Sequence, residues 1–246
     1  MKCLLVDNSN TRTKFALCAE GGEPEIRMMR TADITPQSLC DITRGWHYDK
    51  VCICSVVPWA AQLIEQFCAG APVIKPGPET LDMINFKNYP GMATLGADRM
   101  VNAAAAVHEV GLPLVAVDMG TATTFDVVVE REGSPCFVGG VIAPGLCSMM
   151  DGLHGCTAQL PVVKTWQSAP VIGRNTQEAM GAAMRVGYPA MVDAILDAIE
   201  EEIGAEIHVV LTGGDAEAVS AGMRRECKIS PLLTFRGIAL ALGQSL

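Results

Sequence analysis

Three short segments of the sequence place an aspartate among small or hydroxylated residues directly after an apolar run. The first loop (residues 7–14) begins at Asp7, the second loop (residues 118–124) begins at Asp118, and the third loop (residues 212–215) contains Gly213 and Gly214. Small residues let a phosphate group approach backbone N–H donors, and hydroxyl groups add donors. A nearby carboxylate can bind Mg²⁺ that bridges phosphate oxygens. Each segment alone is an ordinary turn, but together they favour a polyphosphate site.

The first two loops also resemble each other. Aligned on their aspartates, they pair Ser9 with Gly120, Asn10 with Thr121, and Thr13 with Thr124. The repeat predicts two related halves of the chain, each opening with a hairpin whose turn contacts phosphate. The sequence contains neither the G-x-x-x-x-G-K-S/T motif of a P-loop nor a G-x-G-x-x-G dinucleotide motif after a strand.

Apolar runs and helical spacing alternate along the chain. Strands are expected at residues 2–6, 50–57, 114–117 and 207–211, and helices at residues 35–44, 59–68 and 100–110. Residues 175–203 predict two helices that meet near residues 187–189. The alternation indicates the α/β class. Together with the repeat, it predicts two domains, residues 1–113 and 114–246, and it places Asp98 near the start of a helix.

Composition narrows the expected partners and compartment. Of the 246 residues, 50% are hydrophobic and 18% are charged, and the net charge is −9. We expect no nucleic-acid or membrane partner, because a basic patch is missing and no apolar run is long enough to span a bilayer. The ten cysteines are scattered without a C-x-x-C pair, and no signal peptide is visible. This pattern predicts reduced thiols, a cytoplasmic location and no zinc site.

Six sequence motifs together resemble those of the type III pantothenate kinases. In chain order they read "DNSNTRTKFAL", "LGADRMVNAAAA", "VDMGTATTFDVV", "GGVIAPGLCSMMDGLHGCTAQLP", "IGRNTQEAMGAAMRVGY" and "LTGGDA". The motif GADR alone has low specificity, but the combination is highly specific and covers almost the whole chain. The resemblance implies the actin-like ATPase architecture, in which two ribonuclease-H-like domains bind ATP in the cleft between them.

The resemblance also implies an activity. Members of this family phosphorylate the primary hydroxyl of pantothenate from ATP, which gives 4'-phosphopantothenate in the first step of coenzyme A biosynthesis. They use Mg²⁺ with ATP and a monovalent cation, K⁺ or NH₄⁺, and they act as homodimers. We therefore expect ATP and pantothenate as substrates, and a second copy of the chain as partner.

The resemblance assigns roles to individual residues. Asp98 is expected to be the catalytic base, Asp7 to bind Mg²⁺ through water, and Asp118 to bind the monovalent cation. The expected ATP or phosphate contacts are Asp7, Asn8, Ser9, Asn10, Thr11, Arg12, Thr13, Lys14, Thr121, Gly213 and Gly214. The expected pantothenate contacts are Tyr89, Gly96, Ala97, Asp98, Arg99 and Thr176. Two roles are open for Arg99, which either contacts substrate or pairs with a carboxylate at the helix start.

One residue departs from the family pattern, because Ser9 stands where the first loop usually has glycine. A serine is strained there if the position needs positive φ. If the position needs only a small residue, serine fits and can donate a hydrogen bond. The departure motivates an alternative function, a non-catalytic nucleotide-binding regulator on the same fold. A sugar kinase is a third possibility, supported by the phosphate turns alone.

Overall fold

The computed structural model describes residues 1–19, 22–163, 165–244 and 246. The strands are β1 (Lys2–Asn8), β2 (Arg12–Ala19), β3 (Glu25–Arg30), β4 (Lys50–Ser55), β5 (Val73–Ile74), β6 (Leu114–Met119), β7 (Ala122–Arg131), β8 (Ser134–Pro144), β9 (His208–Thr212) and β10 (Lys228–Ile229). The helices are α1 (Pro36–Ile42), α2 (Pro58–Phe67), α3 (Ala97–Glu109), α4 (Leu146–Gly155), α5 (Thr176–Ala182), α6 (Tyr188–Ile203), α7 (Ala216–Ser220) and α8 (Leu233–Leu240). This alternation confirms the α/β class.

Contacts divide the chain into two compact units. The first unit contains Met1–Glu109, Val128–Gly139 and Leu232–Leu246, and the second contains Val110–Val127 and Gly140–Pro231. The chain therefore passes from one unit to the other within β7 and within β8. The division of the sequence into domains at residues 113 and 114 stays a prediction.

The first unit is built on a five-stranded sheet with strand order β3-β2-β1-β4-β5. Strands β1, β2 and β3 pair antiparallel, whereas β4 pairs parallel with β1 and β5. The apolar run of β1 is buried throughout its centre, as expected for the middle strand of a sheet covered on both faces. Helices α1 and α2 add Leu39 and Ile64 to a core that includes Val6, Phe15 and Ile53.

Helix α3 is fixed by close packing against α8 in the first unit. A Cβ atom on Gly237 would collide with the backbone oxygen of Val101, so only glycine allows α8 to approach this closely. Thr234 adds a hydrogen bond of 2.9 Å from its Oγ1 to Asn102 Oδ1. The alanines at residues 103–106 are buried. The helix begins at Ala97, three residues earlier than predicted, which places Asp98 inside its first turn.

In the second unit, β6 and β9 carry the second and third loops to one edge of a sheet. The strand order is β10-β9-β6-β7-β8, and β9 runs parallel to both β6 and β10. Asp118 pairs in register with Thr212, so the second and third loops follow neighbouring strand ends. The predicted meeting of two helices near residues 187–189 is confirmed: a π-helical turn at Ala183–Gly187 joins α5 to α6.

The turns of the first and second loops differ in length by one residue, which corrects part of the sequence alignment. Residues 9–11 separate β1 from β2, whereas residues 120 and 121 alone separate β6 from β7. Ser9 N donates to Arg12 O, but Gly120 N donates to Ala122 O. Beyond the turns, the burial patterns match when Thr13 is paired with Thr123 and Phe15 with Phe125. The predicted pairs Asn10–Thr121 and Thr13–Thr124 are therefore wrong, and Thr11 corresponds to Thr121.

None of the helices in the part of the chain that the structure describes has the length and apolar character required to cross a lipid bilayer.

Candidate active site

The first loop surrounds the carboxylate of Asp7, which is 5% exposed. Lys14 is the cross-strand partner of Asp7, and its Nζ lies 3.4 Å from Asp7 Oδ2. Ser9 Oγ donates a hydrogen bond of 3.1 Å to Asp7 Oδ1. These contacts keep an anionic group and a cationic group at the base of one turn.

Ser9 adopts an ordinary backbone conformation. Among the described residues, Glu132 is the only non-glycine residue with positive φ. A Cβ atom on Gly120, the counterpart of Ser9 in the second loop, would make an ordinary contact of 3.7 Å with Ala122 O. The position therefore has room for a Cβ atom and does not require positive φ, so the serine is accommodated without strain.

The remaining residues of the first loop divide by exposure. Asn10, Thr11 and Arg12 are exposed at the turn, where a ligand can reach them. Asn8 and Thr13 are buried, and Asn8 Nδ2 donates to Thr13 Oγ1 at 2.6 Å. The side chains of these two residues bind other parts of the protein, and their expected ATP contacts stay predictions.

Asp98 folds back over Gly96 at the start of α3. Its Oδ1 accepts a hydrogen bond of 2.8 Å from the backbone N–H of Arg99. A Cβ atom on Gly96 would collide with this same oxygen. The glycine of the GADR motif therefore leaves the space that the carboxylate occupies.

The environment of Asp98 raises the pKa of its carboxyl group. Burial is the largest cause, because it disfavours the charged form, and the charge of Asp7 raises the pKa further. The backbone N–H and the guanidinium of Arg99 act in the opposite direction. Arg99 thus interacts with a carboxylate at the helix start, as one of its two open roles requires, and its substrate contact stays a prediction.

Tyr89 and Arg99 meet at the ring of Phe137 in the first unit. Tyr89 packs edge-on against Phe137 with ring centroids 5.1 Å apart, and the Arg99 guanidinium lies 5.8 Å from the Phe137 centroid. Gly91 leaves room for Tyr89, because a Cβ atom there would lie 2.7 Å from the Tyr89 hydroxyl. Sequence reasoning missed Phe137, since an aromatic residue in a strand carries no functional signal by itself.

In the second unit, the third loop packs directly onto the second. Gly213 has a φ of +96°, and a Cβ atom on it would lie 2.6 Å from Asp118 Oδ1 and collide with Met119 O. Asp215 N donates to Met119 O at 3.2 Å. Two oxygen atoms therefore face the same point beside Gly213. A Cβ atom on Gly214 would meet no other atom within 4 Å.

The GGVIAPG motif supports the second loop from the other side. Gly145 N and Ser148 Oγ both donate to Thr121 O, at 3.0 and 2.6 Å. A Cβ atom on Gly145 would lie 2.6 Å from that oxygen. The last glycine of the motif is thus required for close approach to the second loop, and it also precedes the first turn of α4.

A buried tyrosine, which sequence reasoning did not single out, holds the start of β7. The Tyr188 hydroxyl donates to Pro144 O at 3.0 Å, so the Thr123 hydroxyl, 2.7 Å away, donates to Tyr188. Burial raises the pKa of Tyr188. Thr176 lies elsewhere in the second unit, exposed in the first turn of α5, which Asn175 caps by accepting from Glu178 N at 2.9 Å.

The candidate residues fall into two sets. The first unit brings together Asp7, Lys14, Asp98, Arg99 and Tyr89 with the remainder of the first loop, and the second unit brings together Asp118, Thr121, Gly213 and Gly214. Sequence reasoning found these residues from the turn chemistry and the family motifs. It missed the residues that support them from elsewhere in the chain.

Solved structures with the same fold include two glucokinases. A Campylobacter jejuni protein described as a Baf family transcriptional activator has a TM-score of 0.61 at 18% identity, covering 98% of this chain and 97% of its own. A glucokinase from an Antarctic psychrotroph has a TM-score of 0.54 at 12% identity, covering 98% of both chains. A ROK family glucokinase from Streptomyces griseus, in complex with glucose and AMPPNP, has a TM-score of 0.54 at 11% identity, covering 97% and 98%. These similarities confirm the expected fold and carry no argument about substrate.

We expect replacement of Asp98 by asparagine to stabilise the protein at neutral pH. Because the pKa of Asp98 is raised on folding, the folded state binds a proton there more tightly than the unfolded chain does. The carboxylate therefore reduces stability at pH values above its folded pKa, and this cost vanishes as the pH falls below the unfolded value of about 3.9. In a chain of this size, each 1 kcal/mol gained raises Tm by about 2–4 °C.

The measurement is thermal unfolding of wild type and Asp98→Asn from pH 7 towards pH 4. Exposed Asp82 provides the matched control, since Asp82→Asn should follow wild type across this range. An Asp98→Asn variant that is no more stable than wild type at pH 7 would contradict the burial cost assigned to this carboxylate.

The sequence comparisons identify the family. Residues 3–198 match the model of the type III pantothenate kinase family. Curated relatives named type III pantothenate kinase include those of Akkermansia muciniphila, 39% identical and covering 100% of both chains, and Methylacidiphilum infernorum, 37% identical and covering 96% of this chain and 86% of its own. The Zymomonas mobilis relative of the same name is 35% identical and covers 98% of this chain and 92% of its own. This chain belongs to the type III pantothenate kinase family.

Proposed function

We propose that this protein transfers the terminal phosphoryl group of ATP to the primary hydroxyl of pantothenate. The product is 4'-phosphopantothenate, and the reaction is the first step of coenzyme A biosynthesis. One observation carries the proposal beyond family membership: the partly buried carboxylate of Asp98 stands at the start of α3, and burial, with a further contribution from the charge of Asp7, raises its pKa. A carboxylate with a raised pKa can accept the proton of an attacking hydroxyl.

Asp98 is the proposed catalytic base. Phosphoryl transfer depends mainly on positioning and charge neutralisation, so the base orients the attacking hydroxyl and accepts its proton. Burial makes the Asp98 carboxylate a better proton acceptor than an exposed aspartate. Tyr89, Gly96, Ala97 and Arg99 are the proposed pantothenate contacts in the first unit, and Thr176 is the proposed contact from the second.

In the first unit, the first loop is proposed to bind the phosphates of ATP, and in the second unit Thr121, Gly213 and Gly214 are the proposed ATP contacts. Exposed Asn10, Thr11 and Arg12 offer donors at the turn, and Lys14 supplies a positive charge beside Asp7. Asp7 is the proposed Mg²⁺ carboxylate. Mg²⁺ in kinase sites binds through one or two carboxylates and the substrate phosphates, and it neutralises their charge. Among the described residues, no three acidic, histidine or cysteine side chains form a metal-binding group.

Asp118 is the proposed ligand of a monovalent cation, K⁺ or NH₄⁺. Its Oδ1 and the backbone oxygen of Met119 both face the position that a Cβ atom would occupy on Gly213. Carboxylate and carbonyl oxygens are the donors that suit such a cation, so the chemistry of these two groups fits it. When bound, the cation would add positive charge beside the second and third loops.

A homodimer in the cytoplasm is the proposed state of the protein. Exposed apolar side chains are frequent in the second unit between residues 142 and 186: Ile142, Met149, Leu153, Val162, Val171, Ile172 and Val186. Met149 and Leu153 are one turn apart on α4, so they share a face. Such surfaces commonly mark protein contacts. All ten cysteines are free thiols, as is typical of a reducing compartment.

The alternative function as a non-catalytic regulator loses its motivation. It depended on Ser9, and Ser9 is unstrained and donates a hydrogen bond to the proposed Mg²⁺ carboxylate. The proposal therefore includes the first loop among the segments that bind the phosphates of ATP.

The first experiment measures ADP formation with ATP and Mg²⁺, with pantothenate or glucose as acceptor, and with K⁺, NH₄⁺ or Na⁺ as the monovalent cation. We expect turnover that depends on pantothenate and is highest with K⁺ or NH₄⁺. Asp98→Asn should lower kcat by roughly 10²–10⁴-fold, because it removes the proton acceptor.

The control variant is Asp82→Asn, which should keep wild-type turnover. Nucleotide binding without pantothenate-dependent turnover under every cation would contradict the kinase proposal and favour a regulator. Turnover with glucose in place of pantothenate would instead favour a sugar kinase.

The variant Gly96→Ala tests whether catalysis depends on the position of the Asp98 carboxylate, because it keeps the carboxylate but moves it. The new Cβ atom must displace Asp98 Oδ1, and a misplacement of about 1 Å can cost roughly 100-fold in rate. Stability should fall by no more than about 0.5–1.5 kcal/mol, the net contribution of the hydrogen bond that Asp98 Oδ1 accepts from the Arg99 N–H. The measurements are kcat for pantothenate phosphorylation and Tm, compared with Gly77→Ala, where a Cβ atom would meet nothing within 4 Å. Wild-type kcat in Gly96→Ala would contradict the proposed role of this glycine.

A further inference from the structure

A chain of side-chain hydrogen bonds runs from β4 through the two ends of the first loop to Thr31 and ends on the backbone of the turn. We propose that Thr31, at the end of this chain, is a positioning residue that aligns the turn of the first loop for phosphate binding. Thr31 is 1% exposed and stands outside the loop, in the turn that follows β3. The inference rests on the proposed function in so far as the first loop binds the phosphates of ATP.

The chain consists of four side chains and one backbone oxygen. Ser55 Oγ donates to Asn8 Oδ1 at 2.6 Å, and Asn8 Nδ2 donates to Thr13 Oγ1 at 2.6 Å. Thr13 Oγ1 lies 2.9 Å from Thr31 Oγ1, which donates to the backbone oxygen of Ser9 at 2.6 Å. The side chains of Asn8, Thr13 and Thr31 are all buried, so they act on a ligand only through the loop.

The direction of the chain follows from the number of protons available. A threonine hydroxyl has one proton, and that of Thr31 is used on Ser9 O. Thr31 must therefore accept from Thr13, and Thr13 in turn accepts from the Asn8 amide. Each donor in the chain is therefore directed along it to its end at Ser9 O. Loss of one buried member leaves its neighbours unpaired, at a cost of about 1–3 kcal/mol for each group.

Thr31 holds the turn through two backbone oxygens. Its N–H donates to Thr11 O at 3.1 Å, while its hydroxyl donates to Ser9 O at 2.6 Å. In a trans peptide unit the C=O and the following N–H point in opposite directions. Because Ser9 O faces Thr31, the N–H of Asn10 faces away from Thr31, on the side where a phosphate oxygen can accept from it.

The second loop has a comparable support at the equivalent position. Thr123, which corresponds to Thr13, donates to the Tyr188 hydroxyl, and Tyr188 donates to Pro144 O. In both units a buried threonine just after the turn pairs with a buried hydroxyl from a later segment, and that hydroxyl donates to a backbone oxygen. The parallel extends to the buried threonine and its hydroxyl partner, whereas the accepting oxygen belongs to the first loop in one unit and to Pro144, outside the second loop, in the other.

The test compares three variants of the full-length protein. Thr31→Val removes the hydroxyl while keeping the shape, Thr31→Ser restores the hydroxyl, and Thr43→Val is the matched control. Thr43 is also buried, but its hydroxyl donates to Leu39 O at 2.7 Å at the end of α1. The readouts are equilibrium binding of a fluorescent ATP analogue with Mg²⁺, the KM values for ATP and for pantothenate, and Tm.

We expect Thr31→Val to weaken binding of the ATP analogue and to raise KM for ATP roughly tenfold, the effect of losing one such hydrogen bond. KM for pantothenate should stay within about twofold of wild type, the size of effect expected of a substitution away from that binding site. Thr31→Ser should restore nucleotide binding. Thr43→Val should lose stability without losing nucleotide affinity.

Wild-type nucleotide affinity in Thr31→Val would overturn the proposal, as would an equal loss of affinity in Thr43→Val, which would indicate general destabilisation. The outcome is separable from that of the proposed function. If wild type binds the ATP analogue but does not phosphorylate pantothenate, the kinase proposal fails and the binding data still decide the role of Thr31. If wild type does not bind the ATP analogue, the first loop is not a phosphate site and the inference fails with it.

Discussion

Burial raises the pKa of the Asp98 carboxyl group, and the charge of Asp7, 91 positions earlier in the sequence, raises it further. The ionised form of Asp98 is therefore held in an unfavourable environment within the first unit. The packing of α3 against α8 through Gly237 fixes the helix that carries Asp98. The position of the proposed base therefore depends on a helix contact at Val101, three residues further along α3.

Close backbone approach is the second constraint on this architecture. Gly96, Gly145 and Gly213 each leave space that a neighbouring oxygen occupies, and in each case the neighbour belongs to the candidate site. Only Gly213 among these three also requires positive φ. Glycine at these positions mainly allows loops and side chains to approach each other closely. The position of Ser9 does not need glycine, because it accommodates a Cβ atom, and the serine hydroxyl donates a hydrogen bond to Asp7.

The parts of the site that the sequence predicted are those with local signals. Each of these features follows an apolar strand: Asp7, Asp118 and the third loop. Asp118 and the third loop lie close together because β6 pairs parallel with β9. Asp98 was predicted in the family motif GADR, and the structure adds the reason for the glycine in that motif. The alternation of strands and helices gave the α/β class for the same reason, since periodicity is a local property.

The residues that the sequence did not reveal act through long-range contacts. Thr31, Phe137 and Tyr188 are ordinary residue types in ordinary elements, and only the fold brings them to the loops or to Tyr89. The alignment of the two loops failed for a similar reason. A turn can gain one residue without changing the strands that flank it, so the shift at Thr13 and Thr123 was visible only from burial and hydrogen bonds.

The most direct measurement is the titration of the Asp98 carboxyl carbon by NMR in wild type and in Asp7→Asn. The Asp98 signal is assigned by its absence from the spectrum of Asp98→Asn. The account predicts that the pKa of Asp98 lies above the ordinary aspartate value of about 3.9 in wild type. It should fall part of the way back in Asp7→Asn, because burial remains when the neighbouring charge is removed. An Asp98 that titrates at the ordinary value in wild type, or whose pKa is unchanged by Asp7→Asn, would contradict the account.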